Sequence, residues 1–327
     1  MTTLVTGGAG YIGSHTVREL GRRGERVVVL DNLSHGHPAA VGDARLVVGD
    51  IGDGSLLERL FREEQFSAVI HLAGSKSVDE SLRDPGAYFR NNVAGSLTLL
   101  AACTSADVRQ VVFSSTCAIY GNPDDLPVSE ATPVRPETPY GESKLMVERI
   151  LHWFEVAHGL RSVSLRYFNA AGAADEGDIG ENWDNAANLV PRVMKAALGR
   201  SDPVTVFGTD YPTPDGTAIR DYIHVLDLAD AHLRAIDYLA DGRPSRILNV
   251  GTGKGASVRE VIAETERASG RPVPFVDAAR RPGDAPAIWA SSDAAELELG
   301  WRPRYDLRHI IDTAWRWHST HPDGFAT

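Results

Sequence analysis

Short apolar runs at residues 3–6, 26–30, 46–48, 68–72, 110–114 and 162–167 alternate with segments of helical spacing at 13–23, 56–64, 87–104 and 142–158. Runs this short, with no regular polar alternation, fit strands buried on both faces. Strands separated by helices of about 10–20 residues fit a doubly wound parallel sheet. The expected class is therefore α/β, a Rossmann-type sheet with a smaller mixed C-terminal domain. After Phe168 the pattern lapses: residues 169–188 are rich in Gly, Asn, Asp and Ala, and 208–217 form turns. Runs at 220–225 and 246–250 flank a helix at 227–239, a unit expected to return to the first sheet. A first domain is expected over 1–170 with that returning unit near 220–250, and a second over 171–327, its part from 256 onward being a small mixed unit.

Candidate chemistry begins where the first strand ends. Gly7-Gly8-Ala9-Gly10-Tyr11-Ile12-Gly13 follows it directly and opens a helix. Glycines at 7, 10 and 13 permit a tight turn, close backbone approach to a pyrophosphate and close packing of helix on sheet. The helix N-terminus adds N–H groups and a positive dipole end for phosphates. Asp31 ends the second strand, 18 residues beyond Gly13, where a carboxylate binds the adenosine ribose. It would repel a 2′-phosphate, so NAD is expected over NADP. Asp50-Ile51, after the third strand, fits a wall of the adenine pocket as well as it fits an ordinary strand-ending turn. Leu72-Ala73-Gly74, after the fourth, offers small residues for close cofactor approach.

Composition narrows the field. The chain has 327 residues, 43% apolar and 24% charged, enough for a large core and about two domains. A net charge of −11 argues against a nucleic-acid or anionic-membrane partner. An anionic ligand must then be held by locally placed Arg, Lys or backbone N–H groups. No apolar run approaches membrane-spanning length and no signal-peptide pattern opens the chain, so a cytoplasmic protein is expected. Cys103 and Cys117 are expected to be buried, reduced thiols, and no Cys/His spacing suggests a metal.

Tyr140 and Lys144 lie four residues apart, on one face of a helix. There an ammonium can lower the phenol's pKa and make it usable as a base. Of 33 basic residues only four are Lys (Lys76, Lys144, Lys195 and Lys254), so a Lys kept at this spacing is informative. Residues 113–116 end the fifth strand, and strand C-termini converge on the ligand crevice of such sheets. The hydroxyl of Thr116 is thus expected to meet Tyr140 and Lys144 beside the nicotinamide.

With these pieces the chain resembles the UDP-glucose 4-epimerase family of extended short-chain dehydrogenases/reductases. The matching stretches are residues 6–15, Asp31-Asn32-Leu33, Ala73-Gly74-Ser75-Lys76, Asn91-Asn92-Val93 and Tyr140-Gly141-Glu142-Ser143-Lys144-Leu145. They continue with Arg166-Tyr167-Phe168-Asn169, Asn188-Leu189, residues 207–212, residues 220–225 and Arg280-Arg281-Pro282-Gly283-Asp284. The resemblance spans the chain. It implies that Tyr140 is the catalytic base, that Lys144 holds the nicotinamide ribose and lowers the Tyr pKa, and that Thr116 bonds the sugar 4-hydroxyl. Gly7, Gly10, Tyr11, Ile12, Gly13, Asp31, Asn32, Asp50, Ile51, Leu72, Ala73, Gly74, Lys76, Asn91 and Phe168 would hold NAD, Lys76 at the pyrophosphate. Asn169, Asn188, Leu189, Phe207, Arg220, Tyr222, Arg281 and Asp284 would hold a UDP-sugar.

Two departures stand out. Thr116 replaces the family's usual Ser but keeps the hydroxyl. Ile288 stands where many members carry a large Tyr that excludes N-acetylated sugars, which leaves UDP-N-acetylhexosamine open, as UDP-pentose also is. Cys117-Ala118 follows Thr116 where related dehydratases place Asp-Glu, so no acid–base pair for elimination is present. The implied activity is NAD-dependent interconversion of UDP-glucose and UDP-galactose through a transient 4-keto sugar, with a net dehydrogenase or reductase as the alternative. A homodimer is implied through the helices at 142–158 and 87–104, the first of which carries Leu145, Ile150, Leu151, Trp153 and Phe154.

Overall fold

The computed structural model describes residues 1–183, 188–281 and 284–325; Pro282 and Gly283 of the quoted motif lie outside them. The first half alternates β1 (Thr2–Thr6), α1 (Tyr11–Arg22), β2 (Arg26–Asp31), β3 (Arg45–Val48), α2 (Gly54–Glu63), β4 (Ala68–His71), α3 (Val78–Arg83), α4 (Pro85–Tyr88), α5 (Gly95–Ser105), β5 (Gln110–Ser114), α6 (Pro139–His158) and β6 (Arg161–Tyr167). Then come β7 (Asn169–Ala171), α7 (Leu189–Ala197), β8 (Val204–Phe207), β9 (Ile219–His224), α8 (Val225–Ala240) and β10 (Arg246–Val250). The chain ends with β11 (Gly255–Ser257), α9 (Val258–Ser269), β12 (Phe275–Ala278), β13 (Ala287–Ile288), α10 (Asp293–Leu299) and α11 (Leu307–Thr320).

Seven strands form one parallel sheet in the order β10-β6-β5-β4-β1-β2-β3. Alternate residues serve its two faces, as the strand pleat requires. Val5, Val27 and Val29 pack on one side with Val17 and Leu20 of α1 and Leu228 and Leu239 of α8. Leu4, Val28 and Leu30 pack on the other with Leu57 of α2, Leu99 of α5 and Leu151 of α6. The order reverses between β1 and β4, and at such a switch point the loops diverge and open a crevice.

Within 220–250, α8 covers the first core, and β10 forms an edge of the first sheet beside β6. Leu299 and Trp301 also pack into that core, so the later chain contributes more to it than the returning unit alone. A separate core joins Val193 and Met194 of α7, Val206 of β8, Val261 of α9 and Ile310 of α11. Strands β11, β9 and β13, with β7 beside β9, make a small second sheet.

Two helices differ from the sequence expectation. The helix expected over 87–104 is interrupted by a π-turn, Phe89–Ala94, between α4 and α5. Such turns recur at functional sites because the extra residue rotates the side chains around it. Here it directs both Asn91 and Asn92 toward the loop after β4, where they bond Ser75. Helix α6 begins earlier than expected, because Thr138 caps it through the Gly141 N–H at 3.2 Å and Pro139 pre-sets the first turn. That start places Tyr140 in the opening turn. Along α6, Leu145 and Leu151 are buried, Ile150 and Phe154 partly so, and Trp153 is 65% exposed.

Candidate active site

A cleft of about 380 Å³ opens over the C-terminal ends of β1, β2 and β4. Its floor is main chain. A Cβ added at Gly13 would lie 2.2 Å from the Gly7 carbonyl oxygen, and one at Gly7, whose φ is +71°, would lie 2.6 Å from the Ala73 nitrogen. Only glycine lets these three backbone segments approach so closely. The Asp31 carboxylate braces the turn, accepting from the Ala9 N–H at 3.0 Å and the Leu33 N–H at 2.8 Å. Asn32 donates to Asp50 at 2.9 Å, which joins the loops after β2 and β3. Gly10, Tyr11, Ile12, Ile51, Leu72, Gly74, Lys76, Asn91 and Phe168 line the same cleft. A glycine cradle at a helix N-terminus, with a carboxylate one strand over, fits a dinucleotide with free ribose hydroxyls.

At the far wall stand Thr116, Tyr140 and Lys144. Lys144 is buried on α6 and donates to the Ser114 carbonyl at 2.9 Å, which points its ammonium at the end of β5. Asn92 donates to Ser143 at 3.0 Å while accepting from the Ser75 N–H at 2.8 Å, so it ties α6 to the loop carrying Lys76. One turn past Lys144, the buried Glu148 carboxylate pairs with Arg166 of β6 at 2.7 Å and accepts from Ser115 at 2.6 Å. That pair fixes α6 against β5 and β6, and removing one partner would strand a buried charge.

The electrostatics differ from the sequence expectation in one respect. Burial, with the neighbouring Tyr167 phenol next, pushes the Tyr140 pKa up, and the hydrogen bond from Thr116 only partly opposes it. Burial also lowers Lys144 to about 8. In the free protein, loss of water thus outweighs any help the ammonium gives the phenol, because both groups favour their neutral forms when dry.

A second cleft, of about 200 Å³, joins the first along Asn169, Ala170 and Asn188. Leu189, Phe207, Arg220, Tyr222, Arg281 and Asp284 line it. The Arg281 guanidinium lies 4.0 Å from the Phe207 ring centroid, and Arg220 faces Asp284 at 3.5 Å. Arg220 is steadied by the Ile219 carbonyl at 2.8 Å, and Asn169 donates to the Asp221 carbonyl at 3.2 Å. Beneath Arg220, the fully buried Asp221 accepts from the backbone N–H groups of Thr252 and Ala290, holding β9 against its neighbours.

Ile288 lines neither cleft; it is buried with Ile119, Leu145 and Phe168, behind the wall that Phe168 presents. Cys117 is only half-buried and lines the cofactor cleft, unlike the buried Cys103; both are free thiols, and burial pushes Cys117 up to about 12. Several lining residues escaped the sequence reading. Tyr167, quoted in the stretch 166–169 but given no role there, hydrogen-bonds Ser114. Glu181 in the first cleft falls in the Gly- and Asn-rich stretch 169–188, while Arg192 in the second cleft, and His37 and Phe325 in the first, belong to segments with no local signal. Among the described residues no helix is long and apolar enough to cross a membrane, and no cluster of His, Cys, Asp and Glu suits a metal ion.

The profile of the NAD dependent epimerase/dehydratase family matches residues 3–251. The chain is 48% identical over 328 residues to a UDP-glucose 4-epimerase of Halalkalibacterium halodurans, covering 100% of this chain and 98% of that one. It is similar to the crystal structure of UDP-glucose 4-epimerase from Brucella ovis in complex with NAD, at TM-score 0.94 and 48% identity over 96% of this chain and 97% of that one. The structure of the Bifidobacterium longum enzyme of the same name, in complex with NAD+ and UDP, matches at TM-score 0.95 and 42% identity, over 99% and 100% of the two chains.

Proposed function

Since the chain belongs to the NAD dependent epimerase/dehydratase family, we propose that it is a UDP-glucose 4-epimerase with NAD as its cofactor. The observation that carries this reading is one of geometry. Thr116, Tyr140 and Lys144 stand in a cleft with a dinucleotide cradle, and that cleft opens directly into a second one bearing Arg220 and Arg281. The first cleft suits a redox cofactor and the second a diphosphate, with the reacting sugar carbon where they meet.

Gly7 to Gly13, Asp31, Lys76 and Lys144 would hold NAD, which when bound supplies reversible two-electron chemistry at the sugar carbon. Tyr140 takes the proton of the 4-hydroxyl as that carbon is oxidised and gives it back after the keto sugar has presented its other face. Thr116 holds the 4-oxygen and orients it to the phenol. Ionising Tyr140 works against its burial, so the positive charge of Lys144 matters most in the loaded site, where a neighbouring phenolate keeps it protonated. Arg220 and Arg281 grip the diphosphate, since guanidinium pairs bidentately with phosphate. The hexose, held less tightly, is free to turn. With Cys117 and Ala118 after Thr116, no acid–base pair stands ready for elimination, which favours epimerisation over dehydration.

The same reading makes the protein a cytoplasmic homodimer. The packed helices α5 and α6 leave Leu97, Met146, Trp153 and Val156 exposed, an apolar strip suited to a second copy of the chain. The test is incubation of the purified protein with UDP-galactose, UDP-N-acetylgalactosamine and UDP-xylose without added NAD, with sugar analysis of the products. Epimerised UDP-galactose is expected. Stoichiometric keto or acid product, with the cofactor left reduced, would instead mark a net dehydrogenase.

A further inference from the structure

Two contacts outside the catalytic trio tie late segments of the chain to loops on either side of the glycine-rich turn. On one side the Lys76 ammonium meets the buried Glu181 carboxylate at 3.2 Å. On the other the Phe325 ring stacks on the His37 imidazole, with centroids 5.2 Å apart and planes 14° from parallel. Lys76 follows β4 and His37 follows β2, and β1 lies between those strands. The path from Glu181 to Phe325 therefore crosses above the end of β1, where Gly7 to Gly13 turn.

The two segments also hold each other. Gly324 passes so near Asn182 that an added Cβ would lie 2.5 Å from its amide oxygen, and the Trp183 indole donates to the His321 carbonyl at 3.1 Å. The tail is anchored by Arg200 on Asp323 at 2.7 Å and by the Trp317 ring, 4.9 Å from that of Phe325. His37 in turn is fixed to the glycine-rich turn through its N–H on the Ala9 carbonyl at 3.0 Å. Glu181, Asn182, His37 and Phe325 all face the cofactor cleft.

We propose that residues 180–183 and 321–325 form a strap over the middle of the bound dinucleotide, clasped at Lys76–Glu181 and at His37–Phe325. The strap rests on the reading of this cleft as the NAD site. An epimerase regenerates its cofactor within each turnover and gains nothing from exchanging it. The strap supplies a physical reason for retention: the pyrophosphate lies beneath it, and the cofactor leaves only when a clasp opens. Lys76 spends one of its three N–H donors on Glu181 and keeps others for a phosphate oxygen.

The test measures NAD itself. Wild type, Phe325→Ala, His37→Ala, the double variant and Phe325→Tyr are freed of loose cofactor by gel filtration. Bound NAD is quantified after extraction, and its release is followed on dilution. Each alanine variant should release NAD roughly five- to tenfold faster, the scale of one aromatic pair. The double variant should release it no faster than either single one, and Phe325→Tyr should hold it as wild type does. Release from both single alanine variants at the wild-type rate overturns the strap. A wild type that holds NAD, loses it faster on Phe325→Ala and epimerises no UDP-sugar keeps the strap and refutes the proposed function. Epimerisation with NAD held equally by every variant does the reverse.

Discussion

Around the cofactor cleft the glycine-rich turn at the end of β1 brings main chain against main chain, with the loops after β2, β3 and β4 beside it. Around the second cleft the chain offers side chains, with Asn188 and Leu189 at the start of α7, Phe207 ending β8, Arg220 and Tyr222 on β9, and Arg281 and Asp284 between β12 and β13. The first is set by a rigid parallel sheet buried on both faces. The second is assembled from a smaller sheet and long connections, so its grip is adjustable residue by residue. A site that must retain one constant ligand suits the first design; a site that must bind one part of a substrate and release another suits the second.

Four measurements bear on that contrast. Tyr140→Phe removes the proposed proton acceptor at the wall of the cofactor cleft, and turnover should fall by about 10²- to 10⁴-fold while bound NAD is unchanged. Near-normal kcat in that variant would sink the assignment of the base. Gly13→Ala strikes the backbone cradle, where the added methyl would meet the Gly7 carbonyl at 2.2 Å. NAD affinity should drop by roughly 100-fold or more, beyond the scale of a single lost hydrogen bond, read by titrating NAD into cofactor-stripped protein; unaltered affinity would break the contrast. Arg220→Ala removes one side-chain grip, and KM for the UDP-sugar should rise by about 10- to 100-fold with NAD content intact. An equal loss of NAD would show that the clefts are not separable.

The smallest expected effect is shared by both regions. Burial lowers His15 and His232 to about 4, His71 and His318 to about 3 and His224 to about 2. Between those values and the unfolded value of about 6.5, unfolding takes up protons, so stability falls as the pH drops through that window. The melting temperature should decline from pH 7 to pH 4.5, by roughly 5 °C or more at the scale of a few degrees per kcal/mol. A flat profile would mean that these imidazoles are wetter than their packing implies.

Much of the cofactor side was legible in the sequence, because its determinants are local. The glycine spacing, Asp31 at the end of its strand and the Tyr140–Lys144 interval each lie within one strand–turn–helix unit, where short-range geometry decides the outcome. The π-turn that turns Asn91 and Asn92 to Ser75 was not legible, since nothing in that segment breaks the helical pattern. Nor was the placement of Ile288, which depends on what packs behind Phe168.

The chain's own pattern thus determined the parallel sheet, the crevice at its switch point and the class of ligand laid across it, because strand period, turn residues and helix starts are properties of neighbouring residues. Only the tertiary structure decided that burial, and not the nearby ammonium, dominates the Tyr140 pKa. It alone brought Arg220 beside Asp284, and Phe325 onto His37 from far along the chain. Desolvation and long-range contact depend on which distant segments pack together, and no local spacing encodes that.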